Sequence, residues 1–223
     1  MKVFIAGATG RVAHYVIDDL LAEGNTVVAG CRHPESLKET PSFKPVVMDL
    51  HASVEDLEKI IAGCDAIYFL AGSRGTDLLQ TDAFGAVKLM MAAQKQKISR
   101  FIVLSSMFAL EPEKWNEPGI KDITDYNIAK FFADSWLEKN TDLDWTIIQA
   151  GLLREEPETG LIEIDPEHEG PVAIPNIARV LADVLTMKNT YHQLIMVKMA
   201  QHQFRKHSQR FLLPISFFKV IYF

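Results

Sequence analysis

Hydrophobic positions alternate along the chain between short continuous runs and longer stretches with helical spacing. The first run, residues 3–6, predicts a buried strand, and the apolar residues after it recur every three or four positions, which predicts a helix. Similar runs predict further strands at 26–30, 45–48, 66–70, 101–104 and 145–148, and helices at 53–61, 76–95 and 122–138. The face of the last helix that is predicted to point inward carries Ala129, Phe132, Ala133 and Trp136.

Buried strands that lead into helices predict a parallel sheet covered on both faces. Right-handed crossovers then favour a doubly wound α/β sheet, the Rossmann fold, with a ligand crevice beyond the carboxyl ends of the strands. Residues 1–192 are predicted to form this single domain. Prolines interrupt the segment 151–192 repeatedly, so we expect it to be a small cap on the substrate side of the crevice.

Composition and charge narrow the range of partners. The 223 residues are 48% apolar and 23% charged, enough to bury a core without metal or disulfide. Cys31 and Cys64 lie far apart, which favours a reducing, cytoplasmic location, and no histidine spacing typical of zinc occurs. The net charge of −6 makes nucleic acid an improbable partner. We expect a small-molecule substrate, no signal peptide and no integral membrane segment; a homo-oligomer is left open.

A glycine-rich turn joins the first predicted strand to the first helix. Gly7 permits a tight turn and Gly10 lets the backbone approach a pyrophosphate, while the helix N-terminus presents free N–H groups to that anion. Ala13 stands where the dinucleotide-binding motif has its third glycine. The remaining predicted cofactor contacts of this turn are Thr9, Arg11 and Val12. The alternative is a plain glycine-rich turn without a ligand.

The end of the second strand bears on the choice between NADP and NAD. An NAD site has an acidic residue there for the ribose 2′-hydroxyl, but residues 29–33 contain none. The guanidinium of Arg32 matches a 2′-phosphate in charge and geometry, so NADP(H) is preferred and NAD is the second choice. The alternative is that Arg32 is an ordinary solvated loop residue.

A tyrosine and a lysine four positions apart suggest acid–base chemistry. Tyr126 and Lys130 share one face of the predicted helix, and an ammonium lowers a phenol pKa that is ordinarily about 10. Tyr126 could then exchange a proton with a carbonyl or alcohol while a hydride moves to or from a nicotinamide. Ser106 is the first candidate to bond the same oxygen and Ser105 the alternative, because a one-residue shift exchanges their faces. Otherwise, Tyr126 packs at the helix start and Lys130 faces solvent.

Several short motifs resemble one family. They are Gly-Ala-Thr-Gly-Arg at 7–11, Met48-Asp49-Leu50, Leu70-Ala71-Gly72-Ser73, Leu104-Ser105-Ser106, Tyr126-Asn127-Ile128-Ala129-Lys130 and Leu143-Asp144-Trp145-Thr146-Ile147-Ile148. Because of these motifs, residues 1–190 resemble the atypical short-chain dehydrogenases/reductases, specifically the small NAD(P)-binding, NmrA-like group. The predicted contacts implied by this resemblance are Asp49 and Leu50 beside the adenine, Ala71, Gly72 and Ser73 along the ribose and phosphates, and Lys130 at the cofactor.

The resemblance implies an NADP(H)-dependent oxidoreductase that acts on a small carbonyl or related acceptor. One departure is clear: the family often has Arg-Pro-Gly after the sixth strand, and residues 149–151 are Gln-Ala-Gly. This departure favours the alternative, a non-catalytic NADP(H)-binding regulatory protein that senses redox state.

The tail, residues 193–223, differs in character from the rest of the chain. It has five Lys or Arg, no Asp or Glu, and an apolar end. One hypothesis is a basic, aromatic anchor on a membrane surface. A second is that the tail is a frameshift product of the family's usual C-terminus. Under either hypothesis, poor order is expected beyond about residue 198.

Overall fold

The computed structural model describes residues 1–200 and 212–214. Its strands are β1 (Lys2–Ala6), β2 (Thr26–Cys31), β3 (Phe43–Val47), β4 (Ala66–Phe69), β5 (Arg100–Ser106), β6 (Asp144–Ala150), β7 (Leu152–Arg154), β8 (Leu161–Ile164), β9 (Pro171–Ala173), β10 (Gln193–Met199) and β11 (Leu212–Pro214). Its α-helices are α1 (Ala13–Ala22), α2 (Val54–Ile61), α3 (Phe84–Lys95), α4 (Thr124–Asn140) and α5 (Ile174–Asp183).

The main sheet has the strand order β11-β8-β10-β6-β5-β4-β1-β2-β3. The strands from β3 to β10 in this order pair in parallel, whereas β8 and β11 join in antiparallel pairs at the other edge. The chain starts at β1, moves outward to β3 and then returns to β4 on the other side of β1. This reversal between β1 and β4 confirms the doubly wound α/β class and places a crevice at the carboxyl ends of these two strands.

Alternating side chains of the central strands supply two apolar cores, one on each face of the sheet. In β1, Val3 and Ile5 pack into the core that includes α1 and α5, while Phe4 and Ala6 pack into the core that includes α2 and α3. All four are fully buried. A strand covered on both faces must be apolar at every position, which explains the continuous hydrophobic runs in the sequence.

The orientation of α4 differs from the prediction. Phe132 and Trp136 are 60% and 39% exposed, whereas the helix buries Asn127, Lys130 and Asp134 together with its small and aliphatic residues. The prediction that the two aromatic residues point inward was therefore wrong. The reason is that polar residues at positions 127, 130 and 134 occupy the buried face, and counting only apolar residues misses them.

The predicted helix 76–95 is interrupted at its start. Residues Leu78–Ala83 form a π-helical segment, and the α-helix α3 begins only at Phe84. Within this segment the apolar Leu79 is largely exposed, whereas Asp82 is fully buried. A π-helical turn contains more residues than an α-helical turn, so the side chains before it point in a different direction from the one that a continuous α-helix would give them. Such segments frequently occur at functional sites.

The C-terminal segment contributes more to the body of the fold than the sequence indicated. In the predicted cap region 151–192, α5 packs against α1 on one face of the main sheet, and only β7 and β9 form a small separate sheet. Strand β10, which the sequence analysis assigns to the tail, lies between β6 and β8. Of the tail, residues 193–223, the stretches 201–211 and 215–223 lie outside the described residues, so the two tail hypotheses stay predictions.

A buried arginine connects β5 to the end of α5. Arg100 is 3% exposed, and its Nε donates to the carbonyl of Leu185 at 3.1 Å while Nη2 donates to the carbonyl of Val184. Its Nη1 donates to the carbonyl of Asp144 and to the hydroxyl of Thr146, each at 2.8 Å. Since the last carbonyls of a helix lack partners within the helix, this guanidinium satisfies them from outside.

Candidate functional site

The glycine-rich turn is seated tightly between the ends of two strands. The N–H groups of Gly7 and Ala8 both donate to the carbonyl of Gly30 at the end of β2, at 3.0 and 3.1 Å. Gly7 has a φ of +88°, and a Cβ there would lie 2.6 Å from the Cα of Ala71, just after β4. Only glycine fits this position, because both the backbone angle and the space exclude a side chain.

The turn leads into the open start of α1. The helix begins at Ala13, and none of the described side chains caps it at Val12, so its first N–H groups have no partner within the helix. Thr9 and Arg11 are exposed beside it, and Arg11 Nη1 lies 3.3 Å from Glu155 Oε1. The glycines at both ends of the turn, the amides at the start of α1 and the nearby guanidinium of Arg11 together form a cradle that fits a diphosphate.

Replacing Gly7 by alanine is expected to weaken NADPH binding by about tenfold or more, because the new Cβ would push the turn away from Ala71. Gly24→Ala is the matched control: Gly24 has a similar φ of +80° but no described atom within 4 Å of its Cβ position. The control should cost roughly 1–2 kcal/mol of stability and leave NADPH affinity unchanged. Fluorescence titration measures the NADPH affinity of both variants, and thermal denaturation measures their stability. Equal NADPH affinities of Gly7→Ala and Gly24→Ala would contradict the assignment of the turn as the diphosphate site.

The residues predicted to contact the adenosine lie at one edge of the sheet. Arg32 follows β2, Asp49 and Leu50 follow β3, and residues 71–73 follow β4. Arg32 and Asp49 are exposed, whereas Leu50 is buried. Since these parallel strands end at the same edge, the fold brings the predicted contacts together around the crevice.

Two residues at this edge were missed by the sequence analysis. His51 Nε2 lies 2.6 Å from Asp77 Oδ2, and the Thr81 hydroxyl donates to the same carboxylate. These hydrogen bonds hold the pKa of Asp77 below its ordinary value, and the charge of Arg32 acts in the same direction. Arg32 therefore already has a carboxylate close enough to interact with it. Nothing in the spacing of residues 51 and 77 indicated this pair.

The tyrosine and lysine of α4 lie together beneath the crevice. Lys130 is 1% exposed, and its Nζ donates to the carbonyl of Leu104 at 3.1 Å. The same Nζ lies 5.6 Å from the ring centroid of Tyr126 and 5.4 Å from that of Phe69. Lys130 thus does not face solvent. Burial raises the pKa of Tyr126, and the ammonium of Lys130 opposes this increase.

The two candidate serines have different environments. The hydroxyl of Ser105 donates to Asp134 Oδ2 at 2.5 Å, so this side chain faces α4. Ser106 is its neighbour in the extended strand β5 and therefore points to the other face of the sheet. No hydrogen bond of the Ser106 hydroxyl occurs within residues 1–200 and 212–214, which leaves it available to a ligand.

Buried polar residues surround the Tyr126–Lys130 pair. Asp82 Oδ2 accepts from the backbone N–H of Ser73 at 3.0 Å, and Asp134 is fully buried. Neither polar atom of the Asn127 side chain has a partner among the described residues. Positions 127, 130 and 134 recur at helical spacing, and this polar stripe was the signal in the sequence that could have revealed them.

Comparison with known proteins decides the family. The family model described as NAD(P)H-binding matches residues 7–188, which include the glycine-rich turn and the Tyr126–Lys130 pair. The chain belongs to this NAD(P)H-binding family. The resemblance to atypical short-chain dehydrogenases/reductases is thereby confirmed. Among the described residues of this NAD(P)H-binding protein, no group of acidic, histidine or cysteine side chains could hold a metal ion.

Proteins similar to this chain are named as different kinds of protein. A solved oxidoreductase from Lactococcus lactis is 40% identical, with a TM-score of 0.87 over 90% of this chain and 92% of its own. YhfK of Bacillus subtilis (strain 168), named an uncharacterized sugar epimerase, is 33% identical over 85% of this chain and 90% of its own. The photosystem II assembly factor Ycf39 of Synechocystis sp. is 30% identical over 69% of this NAD(P)H-binding chain, which matches 46% of Ycf39.

Proposed function

We propose that this NAD(P)H-binding protein is an NADP(H)-dependent oxidoreductase that reduces a small carbonyl or related acceptor. The observation that carries the proposal is the buried ammonium of Lys130 beside the ring of Tyr126, near the crevice where the cofactor cradle lies. A buried ammonium near a phenol favours the phenolate, so Lys130 opposes the increase in the pKa of Tyr126 that burial causes. The names of the Lactococcus lactis and Bacillus subtilis relatives are consistent with this class of chemistry.

Each part of the site has a role in this proposal. The turn at Gly7 and Gly10, with Thr9, Arg11, Val12 and the start of α1, holds the diphosphate; Asp49 and Leu50 hold the adenine; and residues 71–73 line the ribose and phosphates. NADPH supplies a hydride when bound. Tyr126 donates a proton to the substrate oxygen, and Lys130 stabilises the phenolate that remains. Ser106 is the last residue of β5, at the edge of the sheet where the crevice lies, and its hydroxyl donates a hydrogen bond to the substrate there.

The preference for NADP rests on Arg32. Arg32→Ala is expected to raise the Kd for NADPH about tenfold to hundredfold, because a charge-assisted bond to the 2′-phosphate is lost. The Kd for NADH should stay within about twofold, since NADH has no 2′-phosphate and serves as the control within the same protein. Fluorescence titration with both cofactors checks this. Equal losses for NADPH and NADH would contradict a role in 2′-phosphate binding.

A second candidate function is a non-catalytic NADP(H)-binding regulator. It is favoured by the sequence Gln-Ala-Gly at 149–151 and by the relative that is named an assembly factor. The two functions predict different results when NADPH binding is first measured by fluorescence and NADPH consumption is then followed with a panel of small aldehydes, ketones and quinones. Binding together with consumption supports the enzyme, whereas binding without consumption of NADPH supports the regulator.

We infer a cytoplasmic location from the state of the cysteines. Cys31 and Cys64 are both buried and form no disulfide within the described part of the chain, which fits a reducing compartment. No helix among residues 1–200 and 212–214 is long and apolar enough to cross a bilayer. Labelled protein in fractionated cells tests the inference, and recovery outside the cytoplasmic fraction would contradict it.

A further inference from the structure

Asp134 is a buried carboxyl group that the proposed reaction does not use. It lies on α4, one turn after Lys130, and is fully buried. Its Oδ2 accepts a hydrogen bond from the hydroxyl of Ser105 at 2.5 Å and a long one from Gln149 Nε2 at 3.4 Å. Its Oδ1 has no hydrogen-bond partner among the described residues.

The two partners of this carboxyl come from adjacent strands. Ser105 of β5 and Gln149 of β6 are paired directly in the parallel register, so both present polar side chains to the same point of α4. Both partners are neutral. An ionised carboxylate buried with one strong neutral donor and one unbonded oxygen is costly, because burial disfavours charge that is not fully hydrogen-bonded.

The charged groups that act on Asp134 are few. From its own helix, the ammonium of Lys130 attracts the carboxylate; from β5 and β6 only the neutral Ser105 and Gln149 face it. Burial outweighs these favourable interactions and raises the pKa of Asp134 to about 6. The group therefore exchanges its proton close to neutral pH.

The charge of Asp134 also reaches the tyrosine of the site. An ionised Asp134 raises the pKa of Tyr126, as does Asp82 in the π-helical segment, while Lys130 lowers it. Lys130 thus lies between a phenol and a carboxyl that both respond to its charge. When Asp134 is neutral, its own charge no longer opposes the effect of the ammonium on Tyr126, and only that of Asp82 still does.

We propose that Asp134 is a positioning residue of this site, a buried carboxyl whose gain or loss of one proton controls how strongly the Lys130 ammonium acts on the Tyr126 phenol. The proton binds one carboxylate oxygen of Asp134, and the Ser105 hydroxyl bonds the carboxyl group in either state. The consequence for turnover rests on the proposed function, whereas the electrostatic link between Asp134 and Tyr126 does not.

The link is tested first without any substrate. Nuclear magnetic resonance of the full chain, labelled with ¹³C at the Asp carboxyl carbon and the Tyr ring carbon that bears the hydroxyl, follows both groups with pH. We expect one Asp signal to titrate near pH 6 and to disappear in Asp134→Asn, and the pKa of Tyr126 to be lower in that variant. Glu138→Gln, which removes an exposed carboxylate from the next turn of α4, is the matched control and should change neither signal. An Asp134 signal that titrates near pH 4, or an unchanged Tyr126, would overturn the proposal.

A stability measurement tests the protonation of Asp134 independently of the tyrosine signal. The folded protein holds the Asp134 proton more tightly than the unfolded chain does, so the stability that this proton contributes is lost as pH rises through 6. Asp134→Asn should therefore raise Tm relative to the wild type at pH 8 and have a smaller effect at pH 4.5. An equal effect at both pH values would indicate a merely structural role and would overturn the proposal.

The turnover test separates this proposal from the proposed function. With a carbonyl compound that the panel identifies, the kcat/KM of the wild type should decrease several-fold as pH rises from 5 to 7. The kcat/KM of Asp134→Asn should instead stay at its pH 5 value over this range. If Tyr126→Phe leaves turnover unchanged while the tyrosine signal still responds to Asp134→Asn, the proposed function fails and the electrostatic link stands. If Tyr126 is required but wild type and Asp134→Asn have the same pH profile, the role of Asp134 is refuted.

Discussion

Replacement of Tyr126 by phenylalanine is expected to lower the turnover of a carbonyl substrate about 10²- to 10⁴-fold while NADPH affinity stays unchanged. The variant keeps the ring that packs near the Lys130 ammonium and loses only the phenol proton, so a change in binding is not expected. Steady-state consumption of NADPH measures turnover, and fluorescence titration measures affinity. Tyr191→Phe is a matched control, since Tyr191 packs its ring on Arg100, away from the crevice.

A second substitution tests the role of the Lys130 ammonium. Lys130→Met removes the ammonium but keeps an unbranched apolar side chain in the same buried space. Turnover should decrease and its alkaline limb should move to higher pH, because the charge that lowers the pKa of Tyr126 is lost. Turnover that is unchanged in Tyr126→Phe would refute the assignment of Tyr126 as the proton donor.

Removing the buried guanidinium of Arg100 is expected to lower the free energy of unfolding by about 3–5 kcal/mol. Arg100→Met removes the guanidinium donors to the carbonyls of Leu185, Asp144 and Val184, of which the Val184 carbonyl keeps the backbone N–H of Met187. Each buried acceptor without a partner costs about 1–3 kcal/mol, which is partly offset because methionine avoids burying a charge. The end of α5 and the first residues of β6 should loosen together.

Urea denaturation, followed by circular dichroism, measures this loss. Arg154→Met is the matched control, because Arg154 is exposed on β7 and its replacement should change stability by less than about 0.5 kcal/mol. The loss of stability in Arg100→Lys should lie between those of Arg100→Met and Arg154→Met, since an ammonium keeps the charge but has fewer donors in a different geometry. A loss of less than about 1 kcal/mol in Arg100→Met would contradict the role of the guanidinium as a helix cap.

Some parts of the site could be predicted because their signals are local. A strand buried on both faces needs consecutive apolar residues, and a tight turn with positive φ favours glycine, so β1 and Gly7 are visible in the sequence alone. The spacing of Tyr126 and Lys130 likewise places them on one helical face in any helix. The fold and the position of the glycine-rich turn were therefore accessible from the sequence.

Other parts depend on packing that local patterns do not report. Phe132 and Trp136 have the spacing of an inward face but lie outward, since Asn127, Lys130 and Asp134 occupy the buried side of α4. The choice between Ser105 and Ser106 was open because a strand can present either face to a neighbour. Contact between Ser105 and α4 assigns the faces and leaves Ser106 for a ligand.

By itself, the amino-acid sequence determined the alternation of strands and helices, the glycine turn and the four-residue spacing of Tyr126 and Lys130, all properties of neighbours in the chain. Only the tertiary structure decided that Asp134 meets Ser105, 29 positions earlier, and Gln149, 15 positions later. That meeting depends on the register of β5 with β6 and on how α4 lies across them. The burial that shifts the pKa of Asp134 exists only once these separate segments have packed together.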